Sequence, residues 1–221
     1  MTDEKFPAMA FAELGYEAAH FGQGQWNGVA IISRVGMQDV VSNFEPSGDA
    51  DHEARIITAT CGGIRITSVY VPNGREVDHD HYKYKLWWLN RLVETLNSYS
   101  PGTPTIVAGD FNIAPEDRDV WDIKDFAGAT HVSAPERAAL DAVKATKLTD
   151  VFRDLHPEEN KLYTFWDFRG GDFHKGRGMR IDYLLCSPDV AAKVDFAVVD
   201  RNARKGESPS DHAPVLINVK N

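Results

Sequence analysis

The sequence predicts an α+β fold in which sheets are faced by helices, and two observations carry that expectation. Apolar, β-branched runs fill residues 28–33, 55–61, 64–71 and 105–108, and return at 180–186, 194–199 and 214–219. Between them Tyr82, Leu86, Leu89, Leu92, Val93 and Leu96 recur at three- and four-residue steps, the period of an amphipathic helix. The order and composition of these runs together give α+β.

Taken in order, Phe6, Met9, Ala10 and Leu14 have helical spacing with Gly15 behind them. Residues 6–14 therefore read as a short helix with a glycine C-cap, packed on the next elements of the chain. Gly62-Gly63 joins the runs 55–61 and 64–71 as a tight hairpin. Segment 42–54, rich in Ser, Asp, Glu and Gly, reads as a surface loop. The helix over 80–98 ends near Pro101-Gly102 and covers one sheet face. At its start, Asp78-His79-Asp80-His81 reads as first-turn residues rather than a metal site. Thr105 to Ala108 suits a strand buried on both faces, residues 135–145 repeat the helical pattern, and 163–168 reads as a further strand.

The chain has 221 residues, 43% of them hydrophobic, enough for one sizeable domain over 1–221. It contains no apolar run of 18 residues, and Met1-Thr2-Asp3-Glu4-Lys5 has no signal-peptide character, so a cytoplasmic protein without a membrane span is expected. Cys61 and Cys186 lie inside apolar runs, where reduced, inert thiols are expected. A net charge of −9 argues mildly against nucleic acid, but its distribution is uneven. Six acids face two bases between Asp110 and Asp125, whereas five bases face two acids between Lys161 and Arg180. Such a mosaic is either ordinary solvated surface or an acidic pocket beside a basic rim, able to hold a cation and a polyanion together.

Five pieces of the sequence carry candidate chemistry beside this charge pattern. The strand 105–108 runs into Gly109, and Asp110 and Asn112 follow two apart on one side of the chain. They offer oxygens to a hard cation, or simply bond the turn. Ser210-Asp211-His212 stands between Pro209 and Pro214, which fixes an oxygen ligand beside the side chain that titrates near neutrality. Asp182, in an apolar run, needs a buried partner, either an imidazole or a neighbour such as Arg180. Tyr70 closes a strand ahead of Pro72-Asn73-Gly74. Finally, Tyr163-Thr164-Phe165-Trp166-Asp167-Phe168-Arg169 and Gly178-Met179-Arg180 mix aromatic, apolar and basic groups, as sheet core or as a surface for bases.

Together these stretches, with Trp26-Asn27-Gly28-Val29-Ala30, resemble the exonuclease III and abasic-site endonuclease family of the endonuclease/exonuclease/phosphatase superfamily, in the expected order along the whole chain. The resemblance implies a four-layer α/β sandwich and a DNA repair nuclease that uses Mg2+, or Mn2+. Such an enzyme acts as 3′-5′ exonuclease and abasic-site endonuclease on double-stranded DNA, as a monomer. It implies Tyr70, Asp110, Asn112, Asp182 and His212 as catalytic residues, and Asp110, Asn112, Asp211 and His212 as metal ligands. Asn73, Phe165, Trp166, Arg169 and Met179 are implied DNA contacts, with Phe165 and Met179 forming the pocket for a base-less sugar. A phosphatase, a non-specific endonuclease and a catalytically impaired DNA-binding form are the alternatives. One departure stands out: the family's N-terminal strand with an active-site Asn, and the Gln-Glu-Thr-Lys strand whose Glu binds metal, have no counterpart here. The sandwich is therefore expected to be N-terminally incomplete, with weak metal binding, poor turnover and exposed apolar faces. Glu4 is a poor substitute for the absent Glu.

Overall fold

A computed structural model of the protein describes residues 1–44 and 51–220. The elements run α1 (Ala8–Glu13), β1 (Glu17–Gln23), β2 (Asn27–Ser33), β3 (Gln38–Ser42), β4 (Ile56–Cys61), β5 (Ile64–Tyr70), α2 (Asp80–Asn97) and β6 (Thr105–Asp110). They continue with α3 (Ala134–Lys144), β7 (Thr149–Asp150), α4 (Val151–Leu155), α5 (Asp172–Lys175), β8 (Asp182–Cys186), α6 (Pro188–Ala191), β9 (Val194–Val199) and β10 (Val215–Val219). Among the described residues the strands make one six-stranded sheet, ordered β3-β4-β5-β6-β8-β7, and two two-stranded ribbons, β1-β2 and β9-β10. The β4-β5 hairpin turns at Gly62-Gly63, whose φ values of 55° and 81° lie in the left-handed region such a turn requires.

Alternation along the central strands sorts their side chains into two faces. Val69, Val107 and Leu185 point to α2 and α3, into a core with Trp88, Leu89, Leu92, Leu140 and Val143. On the other face Ile57, Ala59 and Ile66 meet Val29 and Ile31 of β2, and Ile106, Ala108 and Leu184 join a cluster with Ile217 and Val219 of β10. Two sheet layers are thus flanked by helices, with α1 packed on β1 and α4 on β9. The outward faces of the ribbons keep Ile32, Phe196, Val198 and Leu216 exposed.

The structure corrects several local expectations. The helix near the N-terminus is shorter than 6–14 and buries no residue: Met9 is 80% exposed. The buried stripe of α2 contains Lys85 and Trp88, while Leu86 is only partly covered. Residues 163–168 form no regular strand. Phe165 instead makes single bridges to Met179 and to His212, because it is wedged between two segments rather than running along one. Of segment 42–54, residues 45–50 lie outside the described residues; Ser42 ends β3, and Asp51 is buried, accepting from the Tyr84 hydroxyl and the Trp88 indole N–H. Strands β1 and β3 were not anticipated. Asp78 to His81 does lead into α2, with His79 as its N-cap.

Gly109 is where the sheet tolerates least change. Its φ is 143°, and a Cβ there would stand 1.9 Å from the Val69 carbonyl oxygen of the adjacent strand. Gly109→Ala is expected to cost about 3 kcal/mol or more, the upper end of what overpacking costs. A urea midpoint unchanged from the parent would contradict this.

Candidate active site

Strand register lines up the first three site residues. In the parallel β5-β6 pair Tyr70 lies opposite Asp110, and in the antiparallel β6-β8 pair Asp110 lies opposite Asp182. Residues paired across a sheet share a face, so the phenol and both carboxylates emerge side by side at one end, on the ribbon side. The start of β8 is pinned there by Thr164, whose buried hydroxyl accepts from the N–H groups of Ile181 and Asp182.

His212 arrives from the turn before β10. Ala213 N–H donates to Thr164 O and Trp166 N–H to Asp211 O, so the turn is sewn to the segment that also holds β8. The ring Nδ1 stands 2.8 Å from Asp182 Oδ2, while Nε2 is 4.0 Å from Asp110 Oδ2. Burial would lower the ring's pKa, but the hydrogen bond and charge of Asp182, with Asp110 and Asp211 adding, raise it to about 9. Asp110 moves the other way from its usual range: burial first, then the Asp182 charge, push it up to about 7. Burial and the Asp110 charge raise Tyr70, so its phenol keeps the proton. Asp182 takes the imidazole as partner; Arg180 instead binds Asp119 and Asp150.

Asn112 has φ 52° and is 4% exposed. Its backbone N–H donates to Asp110 Oδ1, and its side-chain amide donates to Asp110 Oδ2 and to Val71 O. Asn73 Nδ2 donates to Asn112 Oδ1 at 3.2 Å and lies 3.3 Å from the His131 ring. A cleft of about 400 Å³ leads from Asp182 and His212 along β6 and β8, past Ala108, Leu184 and Val215.

The predicted contacts divide. Phe165 is partly exposed with its ring 5.0 Å from that of His212, and Met179 lies behind it at 8% exposure. Arg169 is exposed and paired to Asp167. Trp166 is a correction: it is fully buried against Tyr163, Phe173 and Ala213, and so supports the site from within the core instead of meeting DNA. Trp26, quoted only as part of a motif, is 79% exposed in the β1-β2 turn. Gln23, at the end of β1 beside that turn, bonds His52 and Ala54, just ahead of β4, which places Trp26 at the same sheet end as Tyr70.

Among the described residues no three His, Cys, Asp or Glu side chains converge to hold a metal by themselves. Of the expected ligands, Asn112 is bonded inside the protein to Asp110, Val71 and Asn73, and His212 holds Asp182 through Nδ1, while Asp110 and Asp211 are carboxylates. Three carboxylates act on one imidazole, an excess of negative charge that a cation relieves, and Mg2+ is commonly held by one or two carboxylates plus water. The donor set fits such an ion. Glu4 sits exposed on the single turn Asp3–Lys5.

Sequence reasoning missed Thr164, Lys85 and Glu136. The signals were a threonine amid aromatics, a lysine in an apolar helical stripe, and Ser133-Ala134-Pro135-Glu136, whose spacing is that of a capping box.

The chain matches the pattern of the endonuclease/exonuclease/phosphatase family over residues 2–212. It is similar to exodeoxyribonuclease III of Haemophilus influenzae, 30% identical over 233 residues, covering 100% of this chain and 86% of the relative. A solved 3′ phosphatase from Neisseria bound to a product DNA hairpin is similar at TM-score 0.95 and 38% identity, over 100% of this chain and 85% of that one. An AP endonuclease from Archaeoglobus fulgidus is similar at TM-score 0.94 and 32% identity, over 100% and 86%. With Asp110, Asp182 and His212 brought together at one sheet end and these likenesses running the length of the chain, the protein belongs to the endonuclease/exonuclease/phosphatase family.

Proposed function

We propose that the protein is a DNA repair nuclease that hydrolyses phosphodiesters at 3′ ends and on the 5′ side of abasic sites, with Mg2+ as its divalent metal. The observation that carries this reading is the alignment of Tyr70, Asp110 and Asp182 across three neighbouring strands with His212 bonded to the last of them. Adding a nucleophile to a phosphodiester builds negative charge, and the imidazolium of His212, held protonated by Asp182, is placed to meet it. Asp110, raised to about 7 in the metal-free protein, is the carboxylate nearest His212 Nε2 with which to orient a water and take its proton. The Tyr70 phenol donates to a phosphate oxygen. A cation held by Asp110 and Asp211 would supply Lewis-acid charge to the phosphoryl group. Phe165, against the His212 ring, offers an apolar wall for a base-less sugar, and such a nucleotide leaves the stack more cheaply than a paired one.

In this reading residues 1–221 act as one domain, as a cytoplasmic monomer; among the described residues no helix is long and apolar enough to cross a membrane. The likeness to a 3′ phosphatase favours a second reading, in which a terminal 3′ phosphate is the main substrate. Three labelled duplexes decide, carrying an internal abasic site, a 3′ hydroxyl end or a 3′ phosphate, each with Mg2+ and with chelator. Chelator-sensitive nicking and end-trimming are expected. Phosphate release alone establishes the second reading, and binding without turnover on all three defeats both.

A further inference from the structure

Beneath the site, one lysine lies where the helix stripe calls for an apolar residue. The side chains of Lys85 and Glu136 are both 0% exposed, with Nζ 2.5 Å from Oε1. A pair of this kind adds little stability over well-packed apolar residues of similar volume, so stability alone does not account for it. What a leucine or methionine at 85 would not supply is the second bond of Nζ, to the carbonyl oxygen of Asn112 at 2.6 Å.

We infer that Lys85 and Glu136 are positioning residues for the reaction, holding Asn112 in its left-handed conformation so that its backbone and amide N–H groups set both oxygens of Asp110. Two routes lead to Asn112. The first is direct, through its carbonyl oxygen. The second runs through the loop before α3: Glu136 Oε1 also accepts from the Thr130 hydroxyl at 2.6 Å and from His131 N–H at 3.0 Å. The His131 ring faces Asn73 Nδ2, which donates to Asn112 Oδ1. Main chain and side chain of Asn112 are thereby gripped from the same buried carboxylate. Asn112 in turn donates to Oδ1 and Oδ2 of Asp110 at 2.8 and 3.0 Å. Misplacing a reacting group by an ångström costs about 100-fold in rate, so a fixed Asn112 matters to catalysis more than to folding.

This inference rests on Asp110 being the catalytic carboxylate, and the test separates the two. In the full chain, Lys85→Met combined with Glu136→Gln removes both charges and leaves neither unpaired. The readouts are the melting transition, DNA affinity, single-turnover cleavage of a labelled duplex, and solvent exchange of the Asn112 side-chain amide followed by NMR. The expected result is a cooperative melt and parent-like DNA affinity, with the amide exchanging faster and cleavage slowed about 10- to 100-fold, the usual cost of losing an orienting partner. An amide as protected as in the parent overturns the inference, whether or not the chain turns over. So does a loss of protection that accompanies loss of the melt in this variant. Lys85→Arg gives a second reading: it keeps Glu136 paired but moves the donor off the Asn112 carbonyl. A folded Lys85→Arg with unchanged protection and rate also overturns it. Asp110→Asn is run beside them. If that variant cleaves normally, the reading of Asp110 fails; if it is inactive while the Lys85 variants are unimpaired, only the positioning role of Lys85 and Glu136 fails.

Discussion

Asp110→Asn is expected to lower the rate of phosphodiester cleavage by about 10²- to 10⁴-fold, the range for losing a positioned proton acceptor, with DNA affinity nearly unchanged. The substitution keeps the shape of the side chain and one acceptor for the Asn112 N–H groups, but it removes the only charge on β6, opposite Asp182. Burial and the neighbouring Asp182 charge put Asp110 at about 7, so close to neutrality the parent shifts readily between accepting and releasing a proton. The amide cannot. The same shift has a second consequence with a definite sign. A carboxyl raised from 3.8 to about 7 favours the folded state only while protonated, so its contribution is complete below 3.8 and is lost as pH rises through about 7. Above that pH, Asp110→Asn should therefore melt higher than the parent in metal-free buffer, an exchange of activity for stability. Single-turnover cleavage within about tenfold of the parent removes Asp110 from the chemistry. A variant that melts lower than the parent above neutral pH contradicts the burial argument.

Much of the site was legible because a sheet turns spacing into proximity. Asp110 stood where an apolar run met polar chain and Asp182 inside a second apolar run, and pairing of β6 with β8 brings them face to face. Lys85 was hidden for the opposite reason. Periodicity identifies a stripe by its apolar members, so Leu86 was read into the stripe and the lysine beside it read out, although burial has them the other way round. Strand β1, Glu17–Gln23, lacks the β-branched residues that mark a strand and is held by its register to β2. Trp166 was implied as a DNA contact by the resemblance carried on the stretch around it. The ring is instead buried, with the Arg201 guanidinium from a segment far along the chain stacked over it and Arg204 over the neighbouring Phe173.

The second large effect concerns Asp182. Asp182→Asn is expected to slow turnover about 10- to 100-fold, as for other partners that orient a reacting group, and to change DNA affinity far less. The carboxylate lies 2.8 Å from His212 Nδ1, and its hydrogen bond and charge are what overcome burial and lift the imidazole from 6.5 to about 9. An asparagine retains an acceptor oxygen, so the ring stays roughly in place, but the charge that favours imidazolium is gone. In the parent, the group whose folded pKa is raised contributes stability that is complete below 6.5 and lost as pH rises through about 9. The stability gap between parent and variant should therefore be widest below 6.5 and close towards 9. Turnover should follow the same proton: the alkaline limb of the parent's rate profile lies near 9, and that of the variant falls back towards 6.5. NMR titration of the His212 ring in both proteins, read beside the two rate profiles, checks each step. Equal ring titrations would show that Asp182 only anchors the start of β8, where Thr164 already holds its backbone N–H.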